Sequence, residues 1–166
     1  MTVTAIGRGI VRLKFNLCNM ETKEEYLSIE SNCFISLFDQ YGNLKDYREV
    51  HNSVTTAGKQ GVADQILASP SLTKMGWMAI GTSSPAATLL GAEVARVAFT
   101  SKTRSGAVIT VVGDYPAGTG TGAITEAGTF DVVTANTVNM WMSASFSVVT
   151  KGASDTLSIT WTLTVG

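Results

Sequence analysis

The residues best suited to catalysis or metal binding are few in this chain: one histidine, His51, and two cysteines, Cys18 and Cys33. A nucleophilic site needs a serine or cysteine held against a histidine base, and the sequence around Val50-His51-Asn52 contains no such motif. Tetrahedral zinc needs four grouped ligands, whereas these three residues are widely spaced. We therefore predict no catalytic, cofactor-binding or metal-binding residues, and we expect His51 to satisfy backbone groups at a strand end.

Cys18 and Cys33 have two interpretations. Lone cysteines are commonly buried as small apolar side chains, and this is the interpretation that we favour. The alternative is a disulfide between neighbouring strands, which a reducing cytosol disfavours. The first ten residues, Met1 to Ile10, contain neither a basic region nor an uninterrupted apolar core, so we expect no secretory signal and synthesis in a cytosol.

Two glycine-rich spacings and one acidic turn have the composition of ligand-binding loops. Gly118-Thr-Gly-Thr-Gly122 resembles part of a dinucleotide loop, and the spacing of Gly113 and Gly118 resembles part of a phosphate-binding loop. Neither opens an amphipathic helix, and the second lacks the lysine that would reach a phosphate, so a loop between two strands is the better interpretation. Asp39 to Asn43 could hold calcium, but the spacing of an EF-hand is absent.

The three tryptophans, Trp77, Trp141 and Trp161, could form a platform for a carbohydrate. Each falls inside a predicted strand, which makes core packing the stronger interpretation, above all for Trp161. Trp141 is flanked by Met140 and Met142 and could equally belong to a subunit interface, where Trp and Met are enriched.

Charge and hydropathy exclude two classes of partner. The formal net charge is −1 and only 15% of the residues are charged. Nucleic-acid binding draws on clustered Lys and Arg, and no such cluster appears in the sequence. No apolar run approaches the roughly 20 residues that a membrane-spanning helix needs. We expect neither nucleic acid nor membrane as a partner.

The stretch from Thr156 to Val165 shows which elements form the scaffold. Apolar residues, Trp161 among them, occupy every second position from Leu157 to Val165, and the intervening positions are all Ser or Thr. This period of two predicts an antiparallel strand with one buried face and one face that can meet water. About eight such segments recur at roughly ten-residue spacing, which is typical of an antiparallel sandwich or barrel.

One helix is predicted over residues 57–68, with Thr55 or Thr56 as its N-cap. Val62, Ile66 and Leu67 form its apolar stripe, and we expect the helix to cover an open end of a sandwich. The fold class is therefore mainly β: a single domain over residues 1–166, an antiparallel, jelly-roll-like β-sandwich of about eight strands.

The segment 16–30 is the most polar part of the chain, with four glutamates between Glu21 and Glu30, and it predicts an exposed loop or one short helix. Cys33 to Phe38 carries apolar residues on both faces and predicts an interior strand. Residues 1–43 are the candidate segment for attachment to a partner or for oligomerisation.

Five blocks in a fixed order carry a resemblance to a known group of proteins. The blocks are His51-Asn-Ser-Val-Thr-Thr-Ala-Gly-Lys-Gln-Gly, Ala79-Ile-Gly-Thr-Ser-Ser-Pro-Ala-Ala-Thr, Leu90-Gly-Ala-Glu-Val-Ala-Arg-Val-Ala-Phe-Thr-Ser-Lys, Pro116-Ala-Gly-Thr-Gly-Thr-Gly-Ala-Ile-Thr-Glu-Ala-Gly-Thr-Phe and Lys151-Gly-Ala-Ser-Asp-Thr-Leu-Ser-Ile-Thr-Trp-Thr-Leu-Thr-Val. Over residues 51–166 the chain resembles small virion structural proteins of tailed bacteriophages.

The resemblance implies a protein that is not an enzyme and that binds no cofactor. It implies a virion component, assembled in the host cytoplasm, that forms homo-oligomers and contacts the major capsid protein or other virion proteins. The leading expectation is a capsid decoration, or cement, protein that binds and stabilises the outside of a phage head. The alternative is a tail-fibre, adaptor or receptor-recognition component of a phage tail, using loops 101–106 and 116–122.

Overall fold

Twelve β-strands and one α-helix make up the part of the chain that the structure describes. The computed structural model describes residues 2–6, 10–14 and 26–166, with side chains from residue 28 onward. The elements in chain order are β1 (Thr2–Ile6), β2 (Ile10–Lys14), β3 (Tyr26–Phe38), β4 (Leu44–His51), β5 (Ser53–Val54), α1 (Thr56–Asp64), β6 (Trp77–Gly81), β7 (Glu93–Ala98), β8 (Ser101–Ser105), β9 (Val108–Tyr115), β10 (Gly122–Phe130), β11 (Met140–Lys151) and β12 (Thr156–Val165). No helix among these elements is long and apolar enough to cross a membrane.

The strands form two antiparallel sheets. The first sheet has the order β4-β3-β12-β9-β8, and the hairpin of β1 and β2 extends it where β2 pairs with Tyr26 to Ser28 of β3. The second sheet has the order β5-β11-β10-β6-β7. The mainly β, antiparallel, sandwich-like architecture expected from the alternating segments is confirmed. Some strands that follow one another in sequence, such as β3 and β4, lie side by side as hairpins, whereas others, such as β11 and β12, lie in different sheets.

The two sheets bury their facing side chains in one core. Leu157, Ile159, Trp161 and Leu163 of β12 are all buried, as the alternation predicts. They pack with inward residues of β3 and β9 in their own sheet and of β6, β10 and β11 in the other. Burial of a Trp or Leu side chain stabilises a fold by about 1.5–3 kcal/mol, so this strand is the centre of the core.

Some predicted boundaries differ from the observed strands. Residues 26–30 belong to β3 and do not form a loop or helix, because they continue the pairing of β3 with β12 as far as Ile29. The rest of segment 16–30 lies outside the described residues. Residues 103–105 belong to β8, and the tight turn to β9 consists of Gly106, with φ of 57°, and Ala107. Polar strands at a sheet edge are hard to distinguish from loops by composition.

The helix begins close to its predicted start, at Thr56, but it ends at Asp64 and not at residue 68, and it buries a different face. Thr55 is the N-cap and accepts a hydrogen bond from the Gly58 amide. Gly58 and Gly61 are buried against Trp141 of β11, whereas Ile66 is 78% exposed and Leu67 is 59% exposed, beyond the helix end. The predicted stripe through Ile66 and Leu67 is therefore wrong. Glycine allows the helix backbone to approach the indole ring more closely than any larger residue would.

Replacing Gly61 by alanine tests this packing. Helix propensity alone predicts a gain of about 1 kcal/mol. The added methyl group would overlap the ring of Trp141, and overpacking of this kind costs about 1–3 kcal/mol. We expect a net loss of stability in urea unfolding. Gly76→Ala is the control, since a methyl group there meets nothing within 4 Å. A more stable Gly61→Ala variant would contradict the close contact.

Thr129 carries a buried hydroxyl group that has no hydrogen-bond partner among the described residues. Its hydroxyl is inaccessible and makes no hydrogen bond. An unsatisfied buried polar group costs about 1–3 kcal/mol, and valine has nearly the same shape. We expect Thr129→Val to raise the free energy of unfolding by about 1 kcal/mol. Thr55→Val removes the helix cap and is expected to lower the free energy of unfolding by about 1 kcal/mol. The two variants should therefore shift the urea midpoint in opposite directions.

Candidate interaction surface

His51 ends β4 and lines a groove of about 800 Å³ between the two sheets. Glu30, Asn52 and Lys59 also line this groove. The His51 side chain is exposed, and residues 28–166 provide no hydrogen-bond partner for it, so its expected structural role stays a prediction. Glu30, the acid among the described residues that line the groove, is exposed as well.

Cys33 is a small buried residue, as its favoured interpretation predicts. Its thiol is free and fully buried beside Trp161, and burial raises its pKa far above the ordinary range. A thiol held neutral in an apolar core is a poor nucleophile. The disulfide interpretation involves Cys18, which lies outside the described residues.

The loops with a ligand-binding composition are used to hold the fold. Both carboxylate oxygens of Asp39 accept hydrogen bonds within their own turn, from the Tyr41 amide at 2.8 Å and from Asn43 at 2.8 and 2.9 Å. These bonds lower the pKa of Asp39, the Asn43 side chain first. The loop 116–121 joins β9 to β10, as expected. Between residues 28 and 166, no group of three His, Cys, Asp or Glu side chains could hold a metal ion.

The tryptophans belong to the interior. Trp161 is inaccessible and Trp141 is only 7% exposed beneath α1. Trp77 is half-buried and packs against a smaller cluster containing Phe130 and Leu90. None of the three forms an open platform for a sugar, and Trp141 packs within its own chain.

Buried charges hold loops over part of the outer face of the second sheet. The Glu126 carboxylate is inaccessible and accepts hydrogen bonds from the amides of Ser83, Gly91 and Ala92 at 3.2, 2.8 and 2.8 Å. This carboxylate fastens loop 82–92 over the sheet. Glu93 and Arg96 of β7 hold loop 131–139 in a similar way. Glu93 accepts a hydrogen bond from the Asn136 amide at 2.9 Å, and Arg96 donates to the Val132 carbonyl at 2.9 Å. The function of these charges is therefore to hold these loops in place.

A further buried charge, Lys151, ties two loops together at one end of the sandwich. Its ammonium group donates to the backbone carbonyls of Pro116 at 3.0 Å and Asp155 at 2.6 Å. Burial lowers the pKa of Lys151, and the nearby Asp155 carboxylate opposes that shift. Asp155 in turn accepts from Lys45 at 2.7 Å and from the Gly152 amide at 2.8 Å. The sequence gives no sign of this network, since Lys151 to Asp155 resembles an ordinary surface turn.

The Asp155 contacts predict a stability that depends on pH. The hydrogen bond from Lys45, followed by that from the Gly152 amide, lowers the pKa of Asp155 below its ordinary value of 3.8. A carboxyl group with a lowered folded-state pKa contributes stability above its unfolded-state pKa and loses it as pH falls through the folded-state pKa. We expect Asp155→Asn to be less stable than wild type at neutral pH, and the difference in Tm to shrink between about pH 5 and pH 2. Ser154→Ala in the same turn is the control, and a constant difference in Tm would contradict the assignment.

The outer face of the first sheet differs from that of the second because no described segment covers it. Cross-strand partners point to the same face of a sheet, so the register places the alternate residues of β12 beside those of its neighbours. We call this surface the hydroxyl face. Its outward residues are Glu30, Asn32, Phe34, Ser36, Phe38, Leu44, Tyr47, Glu49, His51, Ser101, Thr103, Ser105, Val108, Thr110, Val112, Asp114, Thr156, Ser158, Thr160, Thr162 and Thr164.

Polarity and aromatic content are unevenly distributed over the hydroxyl face. Ser and Thr occupy its centre along β12, and Phe34, Phe38 and Tyr47 form an aromatic side along β3 and β4. Tyr47 is 51% exposed and Leu44 is 57% exposed. The paired outward positions of these five strands carry no Lys or Arg, and Lys45 falls in a β-bulge and turns to Asp155. Interface centres are likewise depleted of charge and enriched in aromatic residues.

The sequence predicts only part of this surface. The alternating hydroxyls of β12 are evident as a face that can meet water, but the partners of that face come from residues 32–51 and 101–114. Strand order and register decide which residues lie beside Thr160, and sequence periodicity does not specify either. Comparisons with protein-family models, curated proteins and solved structures found no match for this chain.

Proposed function

We propose that this protein is a non-enzymatic structural component of a virion that binds to the outside of a phage head and reinforces it. The proposal starts from the ordered blocks of residues 51–166, which resemble virion structural proteins of tailed phages. It implies that the protein is found in the virion after assembly in the host cytoplasm. Its partners are then the major capsid protein or other virion proteins, and further copies of itself.

The hydroxyl face is the observation that carries this proposal. A face of five described strands with aromatic side chains at one side, small hydroxyls at its centre and no Lys or Arg at its paired outward positions suits stable contact with another protein surface. Small side chains leave a flat surface, and low charge lets neighbouring copies lie side by side without strong repulsion.

The use of the ionisable groups supports a structural function. Glu126, Glu93, Asp39, Asp64 and Asp155 each accept hydrogen bonds that hold a turn or a loop. Acid–base catalysis needs a carboxyl group or imidazole within hydrogen-bond reach of a substrate. These carboxylates are committed to the backbone or to buried partners, which favours stability over turnover.

Counting copies in purified virions tests the proposal. Quantitative mass spectrometry of particles should give a copy number comparable with that of the major shell protein, and the protein should bind to empty heads. A copy number far below that of the shell protein would reject decoration and favour the tail-fibre, adaptor or receptor-recognition alternative. Absence from the particle would reject both.

A further inference from the structure

We propose that the hydroxyl face is the surface that docks on the phage head, and that the shell surface it meets is neutral at its centre and carries Lys or Arg opposite Glu49 and Asp114. This inference rests on the proposed function and adds the binding surface and the chemistry of the partner.

The size of the face agrees with a specific interface. Five strands spaced by about 4.8 Å, with about ten residues along β12 at roughly 3.3 Å each, span on the order of 24 Å by 33 Å. That is an area of about 800 Å², close to what one partner contributes to a standard protein interface. The outer face of the second sheet is covered in part, because loops 82–92 and 131–139 are held over it, while Ser145, Ser147 and Thr150 of β11 are exposed.

The charges on the face favour a different protein over a second copy. Glu49 lies beside Phe34, and Asp114 lies beside Ser158, whose hydroxyl donates to it at 2.6 Å. The paired outward positions of these described strands hold carboxylates and no Lys or Arg. Two copies joined face to face would bring carboxylates toward carboxylates, which disfavours association, whereas cations on a partner would be complementary.

The aromatic side supplies the apolar contact. Phe34 and Phe38 are half-buried on β3, and Tyr47 and Leu44 extend the same patch along β4. Tyr and Phe are enriched at interface centres because they bury a large area at a small cost in conformational entropy. A partner surface that is flat and apolar opposite this side, and basic at its margin, matches the whole face.

Co-sedimentation with empty heads purified from the source phage tests the proposal. Thr160→Arg places a large cation at the centre of the face, and we expect bound protein to fall at least about tenfold, the effect of about 1.4 kcal/mol. Thr150→Arg is the matched control, because Thr150 is an exposed threonine on β11 of the other sheet, and it should bind as wild type does. Glu49→Lys should also weaken binding, and added salt should weaken wild-type binding.

Each outcome has a defined meaning. Thermal unfolding confirms that each variant is folded, and Thr162→Lys replaces Thr160→Arg if the latter does not fold. If wild type and the Thr160 variant bind heads equally, or if Glu49→Lys binds as tightly as wild type, the inference is wrong while the proposed function stands. If wild type forms dimers that Thr160→Arg dissociates, a second copy occupies the face. If wild type binds only tails or host polysaccharide, the proposed function itself fails.

Discussion

Replacing Arg96 by leucine is expected to lower the free energy of unfolding by about 3–5 kcal/mol, because the change leaves the Glu93 carboxylate buried without its partner. The two side chains are only 3% and 2% exposed. Their pairing is bidentate, with the Arg96 Nε and Nη2 atoms each 2.8 Å from a carboxylate oxygen of Glu93. Arg96 also donates to the Val132 carbonyl at 2.9 Å and lies 3.8 Å above the Phe130 ring.

Urea unfolding of three variants distinguishes the buried pair from an ordinary surface charge. Arg104→Leu removes an exposed arginine whose side chain donates to the Gly106 carbonyl at 2.7 Å, and we expect a change within about 0.5 kcal/mol. Replacing both partners, as Glu93→Met with Arg96→Leu, should recover part of the loss, since no charge is then left unpaired. A loss below about 1 kcal/mol for Arg96→Leu alone would show that the pair is not buried as described.

The contrast between Trp161 and Arg96 shows what the sequence can predict. Trp161 lies in a period of two that extends over a whole strand, so its burial follows from local pattern alone. Arg96 occurs in an alternating segment too, and there the pattern would place it in solvent. It is buried because loop 131–139, about 40 residues later, closes over it with a carbonyl and a hydroxyl as partners. Such partners depend on tertiary structure and have no local signal.

The helix illustrates a different limit. Apolar spacing pointed to Val62, Ile66 and Leu67, whereas the buried positions are Gly58 and Gly61. Hydrophobic periodicity ranks faces by side-chain character, but here the partner is a large indole ring and the fit requires the smallest residue. The location and cap of the helix could be predicted, since capping is a local property. Its packing face could not.

One part of the hydroxyl face could be predicted from local sequence pattern, and the other part depends on tertiary structure. Thr156 to Thr164 could be assigned to a solvent-facing side of one strand, yet the aromatic side at Phe34 and Tyr47 became its neighbour only through the register of β3 with β12 and β4. A surface on a β-sandwich is formed by side chains from several neighbouring strands, which can be distant from one another in sequence. The sequence predicts an attachment segment at residues 1–43, which lie outside the resembling blocks, and the docking surface proposed above adds residues of β4, β9 and β12.

Replacing Glu126 by alanine is the second change with a large expected effect. Its carboxylate accepts from three backbone amides of loop 82–92, and the residue is inaccessible. Hydrogen bonds to a charged group contribute about 1.5–3 kcal/mol each and are not additive, so we expect a loss on the order of 4 kcal/mol. Glutamine should not restore it, because both carboxylate oxygens act as acceptors and an amide offers only one.

Hydrogen exchange locates the effect of the Glu126 change. The Gly91 and Ala92 amides should exchange much faster in Glu126→Ala, while amides in the centre of β12 change only as far as global stability does. Thr125→Val is the matched control, since it removes a single hydrogen bond to the same loop, from Thr125 to the Ser83 carbonyl at 2.6 Å, and should cost about 1 kcal/mol. Unchanged exchange at Gly91 and Ala92 would mean that the loop is held by its apolar contact through Leu90, and that the carboxylate contributes little.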